Sequence, residues 1–144
     1  MARRYPSSLL GRPSFLLGKL HARSLELEAR ELGPLGIDVK QHAVLCVLAG
    51  EGPMTQRELG QRLGIDRTTI VAVVDGLDGK DFIERRRSPA DRRAYLLTMT
   101  PSGEHAQQRG QLLVDAARRT LLDALDESER RALTRLLARA LEGP

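Results

Sequence analysis

The sequence is poor in cysteine and in aromatic residues. It has one cysteine, no tryptophan, two tyrosines and two phenylalanines among 144 residues. The single thiol, Cys46, cannot form an internal disulfide or supply a multi-cysteine zinc site. The three histidines, His21, His42 and His105, lack metal-ligand spacing, so we expect no metal and no other cofactor. With aromatics at 3%, the core must consist of Leu, Val, Ile and Ala, which favours helices.

Long apolar segments and catalytic patterns are also missing. The longest apolar run, residues 43–49, is far too short to span a bilayer. Apart from Leu9 and Leu10, the basic N-terminus has no apolar segment like that of a signal peptide. The sequence shows no glycine-rich phosphate loop, no nucleophile elbow and no pair of carboxylates that stands out as catalytic. We therefore expect a soluble cytoplasmic protein that is not an enzyme and has no membrane partner.

Arginine, by contrast, is clustered. Lysine and arginine total 23 against 19 acidic residues, which leaves a net charge of only +4. Five arginines nevertheless lie between positions 85 and 93, opposed only by Glu84 and Asp91. A cluster of this kind suits a phosphate backbone. A solvated charged loop would have the same composition, and the cluster alone does not exclude it.

Capping signals divide the first half of the chain into helices. Residues 1–12 look frayed, and Pro13 opens a first helix that Gly33 and Pro34 end. Asp38 and Gln41 have the spacing of a capping box, which predicts a helix that is nearly all apolar and therefore buried.

Two shorter helices are predicted next. Thr55 and Glu58 form a second capping box, Gly64 closes that helix, and Asp66 caps the following one. The buried stripe of the second short helix is Ile70, Val73, Val74 and Leu77. Two helices of this size, joined by a tight glycine-containing turn, form a helix-turn-helix.

A β-hairpin is predicted directly after the helix-turn-helix. Residues 82–86 and 94–99 read as strands, the second with Tyr95, Leu97 and Met99 alternating on one face. The loop between them, residues 87–93, contains Pro89. A helix-turn-helix followed by such a hairpin is a winged helix.

The C-terminal part is predicted to be helical. Thr100 and Pro101 open a long amphipathic helix that reaches about Leu125, and the capping box of Asp126 and Glu129 opens the last helix. The apolar stripes of these helices need a partner, because the winged helix is complete without them. We expect that partner to be a second copy of the chain.

The candidate DNA-binding residues lie on the second short helix and on the hairpin. Arg67, Thr68 and Thr69 occupy the helix start that enters a major groove, where arginine reads guanine or holds phosphate and threonine contacts phosphate or a thymine methyl. Val71 adds an apolar contact. An ordinary exposed helix start would look the same.

The hairpin loop supplies further candidates. Arg92 and Arg93 suit insertion into a narrow minor groove, and Asp91 either braces one of these arginines or caps the loop. The predicted set of DNA-contacting residues is completed by Arg87, Thr55 and Gln56.

These motifs resemble the MarR family of multiple antibiotic resistance regulators. The resemblance is carried by residues 55–59, residues 66–77, the Asp-Arg-Arg at 91–93 and residues 97–103, and it covers about residues 13–142 in element order. It implies a mainly α fold: a winged helix-turn-helix core with a two-stranded β-wing, flanked by N- and C-terminal dimerisation helices. Residues 37–100 would then bind double-stranded DNA, and residues 1–36 and 101–144 would form the dimerisation region.

The resemblance also implies a function. It predicts a homodimeric repressor of a pseudo-palindromic operator, with recognition-helix contacts from Arg67, Thr68 and Thr69. It also predicts a minor-groove contact from a wing arginine, for which Arg93 matches the usual tip position better and Arg92 is close behind. Family members often respond to small aromatic or phenolic effectors, for which His21, Arg23 and His42 would be candidate contacts. Solvent-facing helix residues are the alternative reading of these three.

Cys46 and the rival functions complete the predictions. Cys46 lies in an apolar helical run, which favours core packing over redox sensing. The alternative function is a winged-helix module for protein–protein contact without specific DNA binding. Replacing Arg92 and Arg93 separates the two, because only a DNA-reading wing would lose DNA affinity.

Overall fold

The computed structural model describes residues 4–144, which form seven α-helices, one 3₁₀ turn and a two-stranded antiparallel sheet. The helix-turn-helix and the hairpin follow one another in the predicted order. The elements are α1 (Ser7–Leu10), α2 (Pro13–Leu32), the 3₁₀ turn (Gly33–Leu35), α3 (Val39–Glu51), α4 (Gln56–Leu63), α5 (Arg67–Gly79), β1 (Ile83–Arg87), β2 (Tyr95–Met99), α6 (Pro101–Leu121) and α7 (Glu127–Glu142).

The capping signals predicted from the sequence are confirmed. The side chains of Asp38, Thr55 and Asp126 each accept a hydrogen bond from the backbone amide three residues on. In each case the side chain of that later residue accepts a hydrogen bond from the backbone amide of the capping residue. The fourth cap, Asp66, accepts from the Thr69 amide at 2.9 Å. These bonds satisfy amides that a helix cannot pair within itself, so the helix starts could be read from sequence.

The hairpin pairs Ile83 with Met99 at its base and Arg87 with Tyr95 at its far end. The Leu97 amide also donates to the Met54 carbonyl at 2.8 Å, which attaches the sheet to the segment before α4. Leu97 is buried at this point, whereas Tyr95 is 46% exposed because it lies at the outer end of the hairpin.

The core lies where α3, α4, α5 and the hairpin meet. It is aliphatic, as the shortage of aromatic residues requires. Its fully buried side chains include Leu45, Leu59, Val74, Leu77 and Leu97. The apolar stripe of α5 is thereby committed to the core, which leaves the opposite face of α5 for other contacts.

Two predicted helix boundaries are wrong, and each strand begins one residue later than predicted, so Arg87 ends β1 instead of opening the loop. Of the twelve residues expected to be frayed, residues 1–3 lie outside the described range, and Ser7–Leu10 form α1 after Pro6. The Tyr5 ring also packs edge-on against Phe15, with 5.7 Å between the ring centroids. At the other end, α6 stops at Leu121 instead of Leu125, because the Leu125 amide closes a turn onto the Leu122 carbonyl at 3.0 Å.

The chain divides into two compact units. One comprises the residues up to Leu27 together with Asp115–Pro144, and the other is Glu28–Val114. The divisions fall within α2 and α6, because Leu32 and Ala106 belong to the core of the second unit. The assignment of the terminal helices to dimerisation stays a prediction.

Within residues 4–144, no single helix is both long and apolar enough to cross a bilayer. In the same range, only a pair of helices bent by 77°, Pro13–Leu35 with Val39–Glu51, has that length and composition when the two are taken together.

Candidate nucleic-acid interface

The start of α5 presents polar side chains on a rigid helix. Gly64 adopts a left-handed conformation at φ 63° and turns the chain out of α4, and Asp66 then caps α5. Arg67 and Thr68 are exposed, whereas Thr69 is half-buried. The Thr69 hydroxyl donates to the Asp66 carboxylate at 2.6 Å, so Thr69 takes part in the cap. The side chains left to read a groove at this helix start are Arg67 and Thr68.

Val71 extends the outward face of α5. It is 39% exposed, while Ile70, Val73 and Val74 on the other side are buried. The predicted recognition residues therefore divide into an outward set of Arg67, Thr68 and Val71 and a capping residue, Thr69.

The cap of α5 stays negatively charged. Hydrogen bonds from the Thr69 hydroxyl and then from its amide lower the pKa of the Asp66 carboxyl. A carboxylate at this position interacts favourably with the positive end of the helix dipole. The pKa of Glu58, at the start of α4, is lowered in the same way by the amide of Thr55. Both helix starts are therefore fixed at neutral pH.

The wing loop is closed by its own polar groups. The Ser88 amide donates to the Ala94 carbonyl at 2.9 Å, and the Ser88 hydroxyl accepts from the amides of Ala90 and Asp91, both at 3.3 Å. Asp91 accepts from the Arg93 amide at 2.9 Å. Of the two roles predicted for Asp91, the structure shows the loop cap.

The five clustered arginines are not equivalent. Arg85 pairs with Asp75 and Asp78 on α5, and Arg86 pairs with Glu84 on its own strand. Arg87 lies over the Tyr95 ring. Arg92 and Arg93 are exposed, and their guanidinium groups have no side-chain partner within residues 4–144. Within the cluster, the two arginines whose guanidinium groups have no partner are thus both at the loop tip.

Thr55 and Gln56 lie at the start of α4, where both are half-buried. They line a cavity of about 1050 Å³ between α4, α5 and the hairpin, together with Arg67, Arg85 and Tyr95. The structure therefore brings Thr55, Gln56 and the start of α5 to one concave surface within the second unit.

The three candidate effector contacts differ in their surroundings. His21 and Arg23 are exposed on α2 in the first unit. His42 belongs to the second unit and is 5% exposed. Its ring lies tightly against α6. A Cβ atom added to Gly110 of that helix would come within 2.5 Å of the ring.

Around His42 the structure groups polar side chains that sequence reasoning missed. The Cys46 thiol lies 3.5 Å from His42 Nε2, 3.7 Å from the Gln107 amide nitrogen and 3.6 Å from the Gln111 amide oxygen. The expectation that Cys46 packs in the apolar core is wrong, since the thiol is half-buried among polar groups. The four-residue spacing of the two glutamines places them on one face of α6, but it does not reveal which helix they meet.

Cys46 should be a weakly reactive thiol in the folded protein. Burial raises its pKa, and the hydrogen bond from Gln107 offsets this only in part. The folded state therefore disfavours the thiolate, so stability should fall as the pH rises through the ordinary thiol pKa towards the folded value. The pH profile of alkylation by iodoacetamide should have a higher midpoint in the native protein than in urea. Equal midpoints would contradict this assignment.

No group of three or more His, Cys, Asp or Glu side chains in the part of the chain described could hold a metal ion.

Comparison with known proteins places these features in a family. A model of the MarR family matches residues 35–94. The chain is 31% identical over 111 residues to the multiple antibiotic resistance protein MarR of Escherichia coli, a match that covers 76% of this chain and 77% of that protein. It is 34% identical over 94 residues to MarR of Salmonella typhimurium, covering 65% of this chain but only 63% of that relative's length.

Solved structures agree with the sequence matches. The transcriptional repressor CouR, bound to a 23-mer DNA duplex, superposes with a TM-score of 0.87 at 28% identity, and the match covers 97% of this chain and 99% of that one. The winged-helix fold predicted from the sequence is confirmed.

Proposed function

The chain belongs to the MarR family of transcriptional regulators, and from this we propose that it is a homodimeric, sequence-specific repressor that binds a pseudo-palindromic operator. The observation that carries the proposal is the exposure of Arg67 and Thr68 at the capped start of α5, in the same compact unit as the unpaired Arg92 and Arg93. A repressor of this fold, CouR, is solved with a DNA duplex.

In the proposed complex, α5 enters the major groove. Arg67 and Thr68 contact base edges or phosphate, Val71 packs on a thymine methyl, and Thr69 holds the helix start through its bond to Asp66. Thr55 and Gln56, at the N-terminus of α4, contact the phosphate backbone, where helix amides and polar side chains suit an anion. Arg92 and Arg93 enter the adjacent minor groove.

The homodimer accounts for the apolar surface of the terminal helices. In the first unit, large side chains on α2 and α7 remain exposed, among them Leu17 at 47%, Leu136 at 52% and Leu141 at 88%. Covering such a surface is favourable by about 25 cal/mol per Å². A two-fold dimer would also set two α5 helices on half-sites one helical turn apart.

Relief of repression would need an effector that favours one geometry of the dimer. We propose a small aromatic or phenolic molecule, and His42 is a candidate contact because its neighbours Cys46, Gln107 and Gln111 offer donors and acceptors between α3 and α6. His21 and Arg23 are exposed side chains of the first unit and remain candidates on that basis.

A salt-dependent titration tests the function. The protein is first used to select duplexes from a random library. Its affinities for a selected duplex and for a random duplex are then measured at several salt concentrations. We expect about 10³-fold or greater preference for the selected duplex, two chains per duplex, and an affinity that falls steeply with salt because bound counterions are released. Small aromatic carboxylates added to the same assay should weaken the complex if they are effectors.

The alternative function is a winged-helix module for protein contact. It predicts that no duplex is enriched and that replacing Arg92 and Arg93 by alanine leaves the weak, non-specific DNA affinity almost unchanged. Either result would overturn the proposal.

A further inference from the structure

Arg87 makes two contacts that connect the two sides of the wing. It is the last residue of β1 and pairs with Tyr95, the first residue of β2. Its guanidinium carbon lies 5.1 Å from the centroid of the Tyr95 ring, and its Nη1 donates to the Arg92 carbonyl at 2.6 Å. One side chain thus stacks on the opposite strand and also bonds to the loop tip.

The peptide between Arg92 and Arg93 is held from both sides. Its oxygen accepts from Arg87, and its N–H donates to the Asp91 carboxylate at 2.9 Å. A peptide unit is planar, so two such bonds on opposite edges fix its orientation. Among residues 4–144, only Arg87 donates to the Arg92 carbonyl. The direction in which the two arginine side chains leave the backbone therefore depends on Arg87.

We propose that Arg87 is a positioning residue for DNA reading, which orients the Arg92–Arg93 peptide and so sets the direction in which both arginine side chains leave the backbone. This rests on the proposed function of the chain, and it assigns Arg87 an indirect role in place of the phosphate contact expected from its charge. A loop ordered before binding loses less conformational entropy in the complex.

The chemistry of the position favours arginine specifically. A planar guanidinium can stack on an aromatic face while an N–H in its plane donates to a carbonyl. Lysine keeps the charge and binds phosphate well, but it cannot stack and donate in this way. The Arg87→Lys substitution therefore separates a positioning role from a direct phosphate contact.

The test uses the full-length protein and a duplex that the unchanged protein has selected from a random library. R87A and R87K should each weaken binding by about ten-fold, the same order as loss of one wing arginine. Y95L should weaken it in the same direction, because it removes the stacking surface without removing charge. In the R92A/R93A background, adding R87A should change affinity less than about two-fold and leave the salt dependence unchanged, since positioning has nothing left to act on.

The matched control is R86K, one residue earlier on the same strand. Because Arg86 pairs with Glu84, this substitution should leave the DNA affinity unchanged. Without DNA, the Arg93 amide should exchange hydrogen faster in R87A than in the unchanged protein. If the Arg87 guanidinium did not hold the loop, the two proteins would show the same exchange rate at this amide.

Two outcomes would overturn the inference alone: R87K binding like the unchanged protein, or R87A lowering the salt slope by about 1 in the R92A/R93A background, as a direct phosphate contact would. Failure of the unchanged protein to select any duplex would overturn the proposed function, and this inference with it.

Discussion

Replacing Gly103 with alanine should destabilise the folded protein by about 3 kcal/mol, the upper part of the range for overpacking a core. A Cβ atom at this buried position in the first turn of α6 would lie 1.9 Å from the Phe82 carbonyl oxygen and 2.8 Å from its carbon. Both are backbone atoms, so no side chain can rotate away. The same oxygen accepts from the Thr100 amide at 3.1 Å, and moving it would weaken the bond that joins α6 to the hairpin.

The measurement is the urea midpoint at fixed protein concentration, because the stability of the proposed dimer would depend on concentration. Gly50→Ala is the matched control: Gly50 is also helical, but an added Cβ would meet nothing within 4 Å. Helix propensity alone should then stabilise the protein by up to about 1 kcal/mol. Equal effects of the two substitutions would contradict the close approach at Gly103.

The sequence predicted the elements that depend on local chemistry. The caps at Asp38, Thr55 and Asp126 depend on a side chain and an amide three residues apart, so residue types at fixed spacing reveal them. The α5 stripe could be read in the same way, because its burial follows helical periodicity. The fold class and the location of the candidate interface followed from these local signals and from the order of the elements.

What could not be predicted depends on contacts between distant residues. The Cys46 thiol meets Gln107 and Gln111, which are 61 and 65 residues away, and the apolar neighbours of Cys46 along α3 gave the wrong environment. In the sequence, Arg85 and Arg93 belong to the same arginine cluster. In the structure, Arg85 forms ion pairs with Asp75 and Asp78 on α5. The arginine cluster in the sequence therefore overstated the number of arginines that are available to DNA.

Replacing Arg67 and Thr68 together by alanine should abolish most of the discrimination between the selected duplex and a random one. Each base-edge contact contributes about 1–3 kcal/mol, so the ratio of the two affinities should fall about 100-fold or more. Affinity for random duplex should fall far less, because the proposed phosphate contacts of Thr55 and Gln56 and the positive charge of Arg92 and Arg93 remain. Both side chains are exposed and point away from the core stripe of α5, so the fold should be unaffected.

The matched control is R62A, which removes the same charge from α4, where Arg62 pairs with Glu51. It should leave the ratio of the two affinities unchanged. A different outcome for the α5 variant, in which affinity for both duplexes falls by the same factor, would mean that Arg67 and Thr68 contact phosphate only. Sequence would then have to be read by Val71, by the wing arginines or through the deformability of the duplex, since phosphate contacts position a protein on DNA without distinguishing one base pair from another.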